Sequence, residues 1–236
     1  MSIFYCKKFH INQTNSAMKI GTDSILLGSW VAQQQKLPII SVLDIGTGTG
    51  ILSLMVAQCF DTATITAIEI DPAAAIEAQQ NIQQSDWKDR IQVLPMSLQH
   101  YLQQYPTQKF ELIISNPPYY KGLTTDNKQR DLARHQQSLP LEVLAKAVYF
   151  LLNDTSSAFY TIIPSSIWQD FRTVFVGAGL FFNQLLQVYT TNNKKNSRIV
   201  VKISKNPVLT NVEISTLHAE KGEYSVFYKN LTQDFI

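Results

Sequence analysis

Apolar positions along residues 41–70 change their spacing twice. The segment S-V-L-D-I is followed by G-T-G-T-G, then by I-L-S-L-M-V-A-Q, in which apolar residues have helical spacing, and later by A-T-I-T-A-I-E-I. A short apolar run, a stretch with a period of about 3.6 and a second apolar run are typical of a strand, a helix and a parallel strand. The pattern therefore predicts a βαβ unit with a glycine-rich turn after its first strand.

The same alternation continues through most of the chain. Asp71 and Pro72 are suited to the cap and first turn of a helix, which we expect to end near Gln84. Further elements are predicted as strands at 91–94, 110–114 and 157–163, and as helices at 98–103, 139–152 and from 164 onward. Segments 181–189 and 198–203 are predicted to form an antiparallel pair at the edge of the sheet. Alternating strands and helices predict an α/β fold, a doubly wound, seven-stranded, mostly parallel sheet that binds ligands at the carboxyl ends of its strands.

The N-terminal part of the chain has a different pattern. Residues 1–35 are expected to form a short extension on the substrate side, with a hairpin followed by a helix at 23–33. Residues 36–236 are expected to be the main domain, so that the chain is effectively one domain. The pattern gives no definite place to the tail at 208–236.

Composition narrows the class of protein. Apolar residues make up 45% and charged residues 16% of the chain, which is typical of a globular protein. No apolar run approaches the roughly 20 residues of a membrane span, and the N-terminus lacks the apolar segment of a secretory signal. Cys6, Cys59 and the scattered histidines have no metal-ligand spacing. We therefore expect a cytoplasmic, monomeric enzyme without a metal ion or a membrane partner.

The glycine-rich turn is the first candidate site. Gly46, Gly48 and Gly50 lie between a strand and a helix, where glycine permits a tight turn and a close backbone approach to a ligand. The spacing GxGxG departs from the dinucleotide fingerprint, whose last glycine comes three residues after the second. Asp44 precedes the turn, and Glu69 ends the next strand, where its carboxylate can accept hydrogen bonds from both hydroxyls of a ribose.

The segment D-I-G-T-G-T-G followed by Glu69 resembles the S-adenosylmethionine site of class I methyltransferases. The resemblance implies a Rossmann-like fold in which the three glycines contact the methionine and ribose of the cofactor. It also implies that Asp44 lies near the amino group and that Glu69 holds the ribose hydroxyls. Many relatives have an Asp after the third strand that meets the adenine amino group, and Ser97 occupies that place here.

The segment S-N-P-P-Y-Y after the fourth strand is the second candidate site. In a doubly wound sheet the fourth strand lies beside the first, so this segment is expected next to the glycine turn. Asn116 offers a side-chain carbonyl, and Pro117 and Pro118 hold the backbone rigid and extended with its carbonyls free. Converging acceptors suit an NH₂ group, because they bind its two hydrogens and leave its lone pair directed at the methyl donor. Tyr119 offers a face on which a base can stack.

The four residues N-P-P-Y do not choose the amine by themselves. They resemble the clamp of adenine-N6 methyltransferases of DNA and RNA, of guanine-N2 methyltransferases of ribosomal RNA, and of the enzyme that methylates a release-factor glutamine. Only about 35 residues precede the first strand, which leaves little room for the helical domain of the release-factor enzyme. No block has the size of a DNA target-recognition region. A non-catalytic RNA-binding module with this fold is the alternative from another functional class.

Three segments together narrow the resemblance: A-M-K-I-G-T-D-S-I-L-L-G-S-W at 17–30, the turn at 42–55 and I-I-S-N-P-P-Y-Y at 113–120. This set resembles the bacterial family of tRNA adenine-N6 methyltransferases that modify adenine 37, beside the anticodon, in a valine tRNA. The resemblance implies S-adenosylmethionine as cofactor and the tRNA anticodon stem-loop, not DNA, as partner. It places Thr22 and Asp23 near the methionine end of the cofactor, where either residue could also cap the helix at 23–33.

Basic residues are concentrated near the expected substrate mouth, although the net charge is only +2. The candidates for contact with RNA phosphates are Lys121, Lys128, Arg130, Arg134, Lys194, Lys195 and Arg198. The polar segment 121–138 has no apolar periodicity and is expected to be a long loop that closes over the target base.

Overall fold

The computed structural model describes residues 2–14, 19–34, 38–118, 139–191, 197–219 and 222–236. Its strands are β1 (Ile3–Tyr5), β2 (His10–Asn12), β3 (Ser41–Ile45), β4 (Thr64–Glu69), β5 (Ile91–Pro95), β6 (Leu112–Ser115), β7 (Ala158–Pro164), β8 (Phe181–Tyr189), β9 (Ser197–Ser204) and β10 (Asn211–Thr216). Its α-helices are α1 (Thr22–Gln34), α2 (Ile51–Cys59), α3 (Pro72–Gln83), α4 (Leu98–Gln104), α5 (Leu141–Leu151), α6 (Trp168–Gly177) and α7 (Val226–Thr232), and short 3-10 helices lie at Lys88–Arg90 and Ser165–Ile167.

Eight of these strands form one sheet, in the order β10-β8-β9-β7-β6-β3-β4-β5. Neighbouring strands are parallel except at β9, which runs antiparallel to both β7 and β8. The order reverses at β3, which has β4 on one side and β6 on the other. The α/β class with a doubly wound, mostly parallel sheet is thereby confirmed. Ligands of such sheets bind at the carboxyl edge near this reversal.

The sheet has one strand more than the seven expected from the sequence. β10 comes from the tail at 208–236, and it pairs in parallel with β8, so the antiparallel pair β8–β9 does not form the edge. As an edge strand, β10 leaves Val212 and Ile214 more than half exposed. An edge strand buries little apolar surface, so the sequence N-V-E-I-S-T shows only a short alternation of apolar and polar residues. This weak pattern explains why β10 was not predicted.

Apolar side chains of the sheet belong to two cores on its opposite faces. On β3, Val42 packs in the core that includes α1 and α2, whereas Leu43 packs in the core that includes α5 and α6. The same alternation is found on β6, where Ile113 faces one core and Ile114 faces the other. Because helices cover both faces, β6 and β7 are almost continuously apolar in sequence, as expected of buried parallel strands.

The N-terminal hairpin and helix are present, as the sequence predicted. β1 pairs antiparallel with β2. α1 lies so close to α2 that a Cβ atom at Gly28 would come within 2.6 Å of the Met55 sulfur. Trp30 of α1 packs edge-to-face against Tyr160 of β7, with 5.9 Å between the ring centroids. These contacts fix α1 against the sheet, so its first turn has a defined position relative to the strand ends.

Asn81 of α3 joins the N-terminal hairpin to the glycine-rich turn. Its side-chain NH₂ donates to the backbone oxygens of Asn12 and Thr49, each at 2.9 Å, and its Oδ1 accepts from the Asn12 backbone N–H at 2.8 Å. The side chain is buried. A hydrogen-bonded amide at this position thus holds two segments that are distant in sequence.

Asn81→Ala is expected to lower the free energy of unfolding by about 2–3 kcal/mol, because it leaves buried backbone groups unpaired. For a domain of this size, that loss corresponds to a decrease of roughly 5–10 °C in melting temperature, measurable by calorimetry. Asn230→Ala, on an exposed position of α7, is the matched control and should melt like the wild type. Equal melting temperatures for the two variants would contradict the role given to Asn81.

Candidate active site

The two candidate segments of the sequence meet at the carboxyl edge of the sheet. Ser115, the last residue of β6, is in register with Ile45, the last residue of β3. The Ser115 hydroxyl donates to the Ile45 carbonyl oxygen at 2.7 Å, and both residues are buried. Asn116 and Gly46 are the next residues along the two strands. The clamp and the glycine turn therefore begin side by side, as the doubly wound order predicted.

The glycine turn leaves an open space beside its backbone. Gly46 and Gly48 have φ angles of 70° and 57°, which favour glycine, and a Cβ atom at either position would have no neighbour within 4 Å. Gly50 is different, because its Cβ position would lie 3.6 Å from Ala78 of α3. The first two glycines thus border space that a ligand can fill, whereas the third allows α2 and α3 to pack closely.

The carboxylate of Glu69 holds this turn in place and can accept further hydrogen bonds. Its Oε2 accepts from the Gly48 backbone N–H and its Oε1 from the Asp71 backbone N–H, both at 2.9 Å. The side chain is 8% exposed. A carboxylate oxygen has two accepting positions, so each oxygen of Glu69 can still accept one further hydrogen bond. Two adjacent acceptors of this kind match the two hydroxyls of a ribose.

Asp44 is a completely buried acid under the turn. Its Oδ2 accepts from the hydroxyls of Thr47 at 2.6 Å and Ser53 at 2.7 Å. Its Oδ1 is buried and has no hydrogen-bond partner among the residues described. Burial raises the pKa of Asp44 to about 6, against which the two hydroxyl donors act in the opposite direction. The Oδ1 of Asp44 is therefore a buried acceptor that lacks a donor among the described residues.

Sequence analysis missed Thr47 and Ser53, although both are placed by the same turn. Thr47 directly follows Gly46, and Ser53 lies in the first turn of α2, so both hydroxyls reach the acid from nearby backbone. Hydroxyl residues are common in such turns for other reasons. The sequence pattern that could have identified them is an acid within an apolar strand that is followed, a few positions later, by two residues with hydroxyl groups.

Ser97, the remaining residue expected to contact the cofactor, follows β5, and two further residues of interest follow β4. Ser97 is the N-cap of α4, and its hydroxyl oxygen accepts from the His100 backbone N–H at 3.1 Å. Asp71 caps α3 by accepting from Ala73, as the sequence predicted. Ile70, which sequence analysis did not single out, is 49% exposed directly after Glu69. In the sequence, the signal for this surface was an apolar residue directly after the acid that ends the strand.

The clamp is described up to its second proline. Asn116 is half-buried, and its Nδ2 donates to the hydroxyl oxygen of Ser24 at 3.1 Å. Pro117 is buried and Pro118 half-buried. Tyr119 lies outside the described residues, as do the polar segment 121–138 and the basic candidates Lys121, Lys128, Arg130, Arg134, Lys194 and Lys195. Their roles stay predictions.

The first turn of α1 connects to β9. α1 begins at Thr22, and the Asp23 Oδ2 accepts from the Arg198 Nε at 2.8 Å. The side chains of Arg198 and Asp23 are 42% and 35% exposed. Asp23 was expected to face the cofactor and Arg198 to face RNA, and the structure pairs them with each other. Such a partly exposed pair contributes little to stability but defines the position of the helix end.

Two negative findings concern the described part of the chain. Within it, no group of three or more histidine, cysteine, aspartate or glutamate side chains could hold a metal ion. No helix there is long and apolar enough to cross a membrane.

Comparison with known proteins identifies the family. Residues 15–138 match the methyltransferase small domain family. The chain is 36% identical over 237 residues to the tRNA1(Val) (adenine(37)-N6)-methyltransferase of Haemophilus influenzae, covering 100% of this chain and 98% of that protein. It is 37% identical over 234 residues to the enzyme of the same name from Bacteroides thetaiotaomicron, covering 98% and 96% of the two chains. The chain belongs to the tRNA1(Val) (adenine(37)-N6)-methyltransferase family.

This methyltransferase also shares its fold with solved structures that are distant in sequence. A predicted O-methyltransferase from Agrobacterium tumefaciens superposes with a TM-score of 0.66 at 17% identity, covering 90% of this chain and 96% of that one. At that identity the likeness concerns the fold alone. The family resemblance read from the three segments of the sequence is thus confirmed, and the class I methyltransferase fold is confirmed with it.

Proposed function

We propose that this methyltransferase transfers a methyl group from S-adenosylmethionine to the N6 amino group of adenine 37 in valine tRNA. The observation that carries the proposal is the pairing of β3 with β6, in which Ser115 bonds to Ile45 and so starts the Asn116 clamp beside the Gly46 turn. The full-length relatives named for this reaction support the choice of substrate.

The residues present fit S-adenosylmethionine. The unpartnered Oδ1 of Asp44 suits its ammonium group, and the open backbone at Gly46 and Gly48 suits its methionine portion. Glu69 has two free accepting positions for the ribose hydroxyls. When bound, the cofactor supplies an electrophilic methyl group on a sulfonium. The apolar surface of Ile70 and the hydroxyl of Ser97 are suited to its adenine ring and edge.

Asn116 and the backbone that follows it are suited to hold a planar amine. The lone pair of an exocyclic base amine is delocalised into the ring, so the nitrogen is a poor nucleophile. The Asn116 carbonyl and the backbone carbonyl of Pro117 can accept the two hydrogens of the amine and favour a pyramidal nitrogen. The same contacts fix the amine at the reacting distance. This chemistry requires no general base, since the methylated amine releases its extra proton to water.

The anticodon loop suits this site because its bases are unpaired. Removing a base from a loop costs less unstacking than removing it from a duplex. We therefore propose tRNA rather than DNA as the partner. A monomeric state and a cytoplasmic location remain our expectations for this enzyme.

The direct test is methylation of unmodified total tRNA with labelled S-adenosylmethionine, followed by nucleoside analysis. We expect N6-methyladenosine in the valine tRNA fraction and no label in a transcript with guanine at position 37. Label in N2-methylguanosine of ribosomal RNA, or in a release-factor glutamine, would replace the proposed substrate by one of the alternatives while the clamp chemistry stands.

Glu69→Gln is expected to raise the dissociation constant of S-adenosylmethionine about 10- to 100-fold, equivalent to roughly 1.4–2.8 kcal/mol. Both oxygens of Glu69 accept from backbone N–H groups, and a glutamine would present its NH₂ to one of these donors. Calorimetric titration measures the change. Glu213→Gln, on the exposed face of β10, is the matched control and should bind like the wild type. Unchanged affinity of the Glu69 variant would remove this residue from the cofactor site.

A further inference from the structure

A groove on the face of the sheet that α6 covers lies outside the site described so far. It has a volume of about 450 Å³ and runs between α6, β8 and the edge strand β10. Trp168 and Arg172 of α6 form one wall, and Leu185 of β8 and Val212 of β10 belong to its floor. Mostly apolar cavities of roughly 300–1,000 Å³ with a few polar groups are typical of ligand sites. The groove therefore has the size and the lining of a binding site.

One end of the groove lies at the same edge of the sheet as the Asn116 clamp. Ser165, which lines the groove, directly follows β7, and the parallel neighbour of β7 is β6, which leads into the clamp. In the sheet, β8 is separated from β6 by β7 and β9. At about 4.8 Å per strand, the groove thus lies roughly 14 Å from the end of β6. A few consecutive nucleotides of one RNA strand can span this distance.

Trp168 gives the groove an aromatic wall with a defined position. The side chain is half-buried, and its ring packs at 76° to the ring of Phe182, with 5.0 Å between the centroids. Phe182 in turn packs against Phe171 of α6, with 6.1 Å between the centroids. Every nucleobase has a flat π-face, so an aromatic wall can bind an unpaired base by stacking.

Arg172 gives the groove a positive charge that no described acid neutralises. It lies one helical turn after Trp168, so both side chains project from the same side of α6. Its side chain is exposed and forms no hydrogen bond or ion pair with another residue that the structure describes. Asp170 lies two positions before Arg172 and projects from a different side of the helix. An RNA phosphate can accept two parallel hydrogen bonds from such an unpaired guanidinium.

Polar groups in the groove suit the edge of a planar base. The side-chain amide of Gln187 has one long hydrogen bond, 3.4 Å from its Nε2 to the Ser197 hydroxyl oxygen, and its other positions are free to bind a ligand. The Ser165 hydroxyl forms no hydrogen bond with a described side chain. A wall for stacking, an unpaired cation and free polar groups are together the features that a nucleotide requires.

We propose that this groove binds a second unpaired base of the substrate loop, a few nucleotides from adenine 37, with its ring against Trp168 and its phosphate at Arg172. The inference rests on the proposed methylation of tRNA and adds a subsite outside the cofactor turn and the clamp. The occupant is an anticodon base, since the anticodon adjoins adenine 37. Contacts at two points fix the strand that presents adenine 37, and methylation then depends on a base that does not react.

The test combines protein variants with tRNAs that lack one base in a double-mutant cycle. Valine tRNAs are assembled from synthetic halves, each without one anticodon base, and kcat/KM for methylation of adenine 37 is measured. For the wild type, we expect removal of one particular anticodon base to lower kcat/KM about 5- to 50-fold, as loss of a base–aromatic stack does. For Trp168→Ala, removal of the same base should change kcat/KM less than about twofold, because its stacking partner is already absent.

Two further variants separate this role from a loss of structure. Trp168→Phe keeps an aromatic wall and should retain most of the dependence on that base. Arg172→Ala should reduce the slope of log affinity for tRNA against log salt concentration by about one, as expected for the loss of one phosphate contact. The matched control is Lys88→Ala, because Lys88 is exposed before β5 at the opposite edge of the sheet, and its slope should equal that of the wild type.

Two results would overturn the inference. One is an effect of Trp168→Ala that is the same for the complete tRNA and for every tRNA without an anticodon base. The other is a wild-type salt dependence in Arg172→Ala. Both differ from a failure of the proposed function, because both presuppose a wild type that methylates adenine 37. If the wild type transfers no methyl group to tRNA, the proposed function itself is wrong.

Discussion

Asn116→Ala is expected to lower kcat by about 10²–10³-fold, the usual effect of removing one group that stabilises developing charge in a transition state. The substitution removes the side-chain carbonyl of the clamp and leaves the backbone carbonyl of Pro117 in place. Because the residues proposed to hold the cofactor lie at and after the ends of β3, β4 and β5 and not in the clamp, the affinity for S-adenosylmethionine should change by less than about twofold. A loss confined to kcat is what a contact with the reacting amine predicts.

Single-turnover methylation of valine tRNA measures this loss without interference from product release. Asn116→Asp is the informative companion, because aspartate keeps the accepting oxygen and can accept from the Ser24 hydroxyl. It should retain more activity than the alanine variant. Asn153→Ala, at an exposed position after α5, is the matched control. If the alanine variant at 116 methylated tRNA at the wild-type rate, the clamp assignment would be wrong.

Features of the fold that depend on residues close together in the sequence were predicted correctly. The unit β3–α2–β4 was predicted closely, because its apolar spacing, its glycine turn and the acids Asp44 and Glu69 all lie within the one segment 41–69. The cap formed by Asp71 was predicted for the same reason. Each of these features depends on neighbours along the chain, which the sequence displays directly.

Contacts between distant segments could not be predicted in this way. The bond between Asn116 and Ser24 joins residues 92 positions apart, and that between Arg198 and Asp23 joins residues 175 positions apart. A serine in the first turn of a helix is common, and nothing in its neighbourhood identifies its partner. The fold class can be read from local periodicity, whereas the contacts that orient the clamp depend on how α1 lies across the strand ends.

Asp44 illustrates the opposition between stability and ligand binding in this site. Its ordinary pKa of 3.8 is raised to about 6 by burial. Below about pH 4 the acid is protonated in both the folded and the unfolded protein. Between about pH 4 and 6 the folded protein keeps a proton that the unfolded protein has lost, so the free energy of unfolding falls as the pH rises. Above about pH 6 Asp44 is ionised in both the folded and the unfolded protein. The burial of its charge then lowers the free energy of unfolding by the full amount, roughly 3 kcal/mol.

Asp44→Asn should therefore stabilise the ligand-free protein at pH 7.5 and weaken its binding of S-adenosylmethionine. The asparagine oxygen can accept from the hydroxyls of Thr47 and Ser53, as the Asp44 Oδ2 does, but the side chain cannot ionise. We expect the melting temperature to rise by roughly 5 °C, since about 1–2 kcal/mol remains after the new buried NH₂ is left unpaired. The dissociation constant should increase about 100-fold, because a donor then faces the ammonium group of the ligand.

The pH dependence of the two proteins supplies the decisive comparison. In the wild type, a bound ammonium group favours the ionised acid, so the affinity for S-adenosylmethionine should increase as the pH rises through about 6. In Asp44→Asn, both this increase and the decline of ligand-free stability between about pH 4 and 6 should disappear. Calorimetric titrations and thermal melts from pH 5 to 7.5 measure both quantities on the same samples. If Asp44→Asn bound the ligand like the wild type, Asp44 would only organise the turn. Weaker binding together with greater ligand-free stability would show that the buried charge of Asp44 destabilises the fold and is required to bind the cofactor.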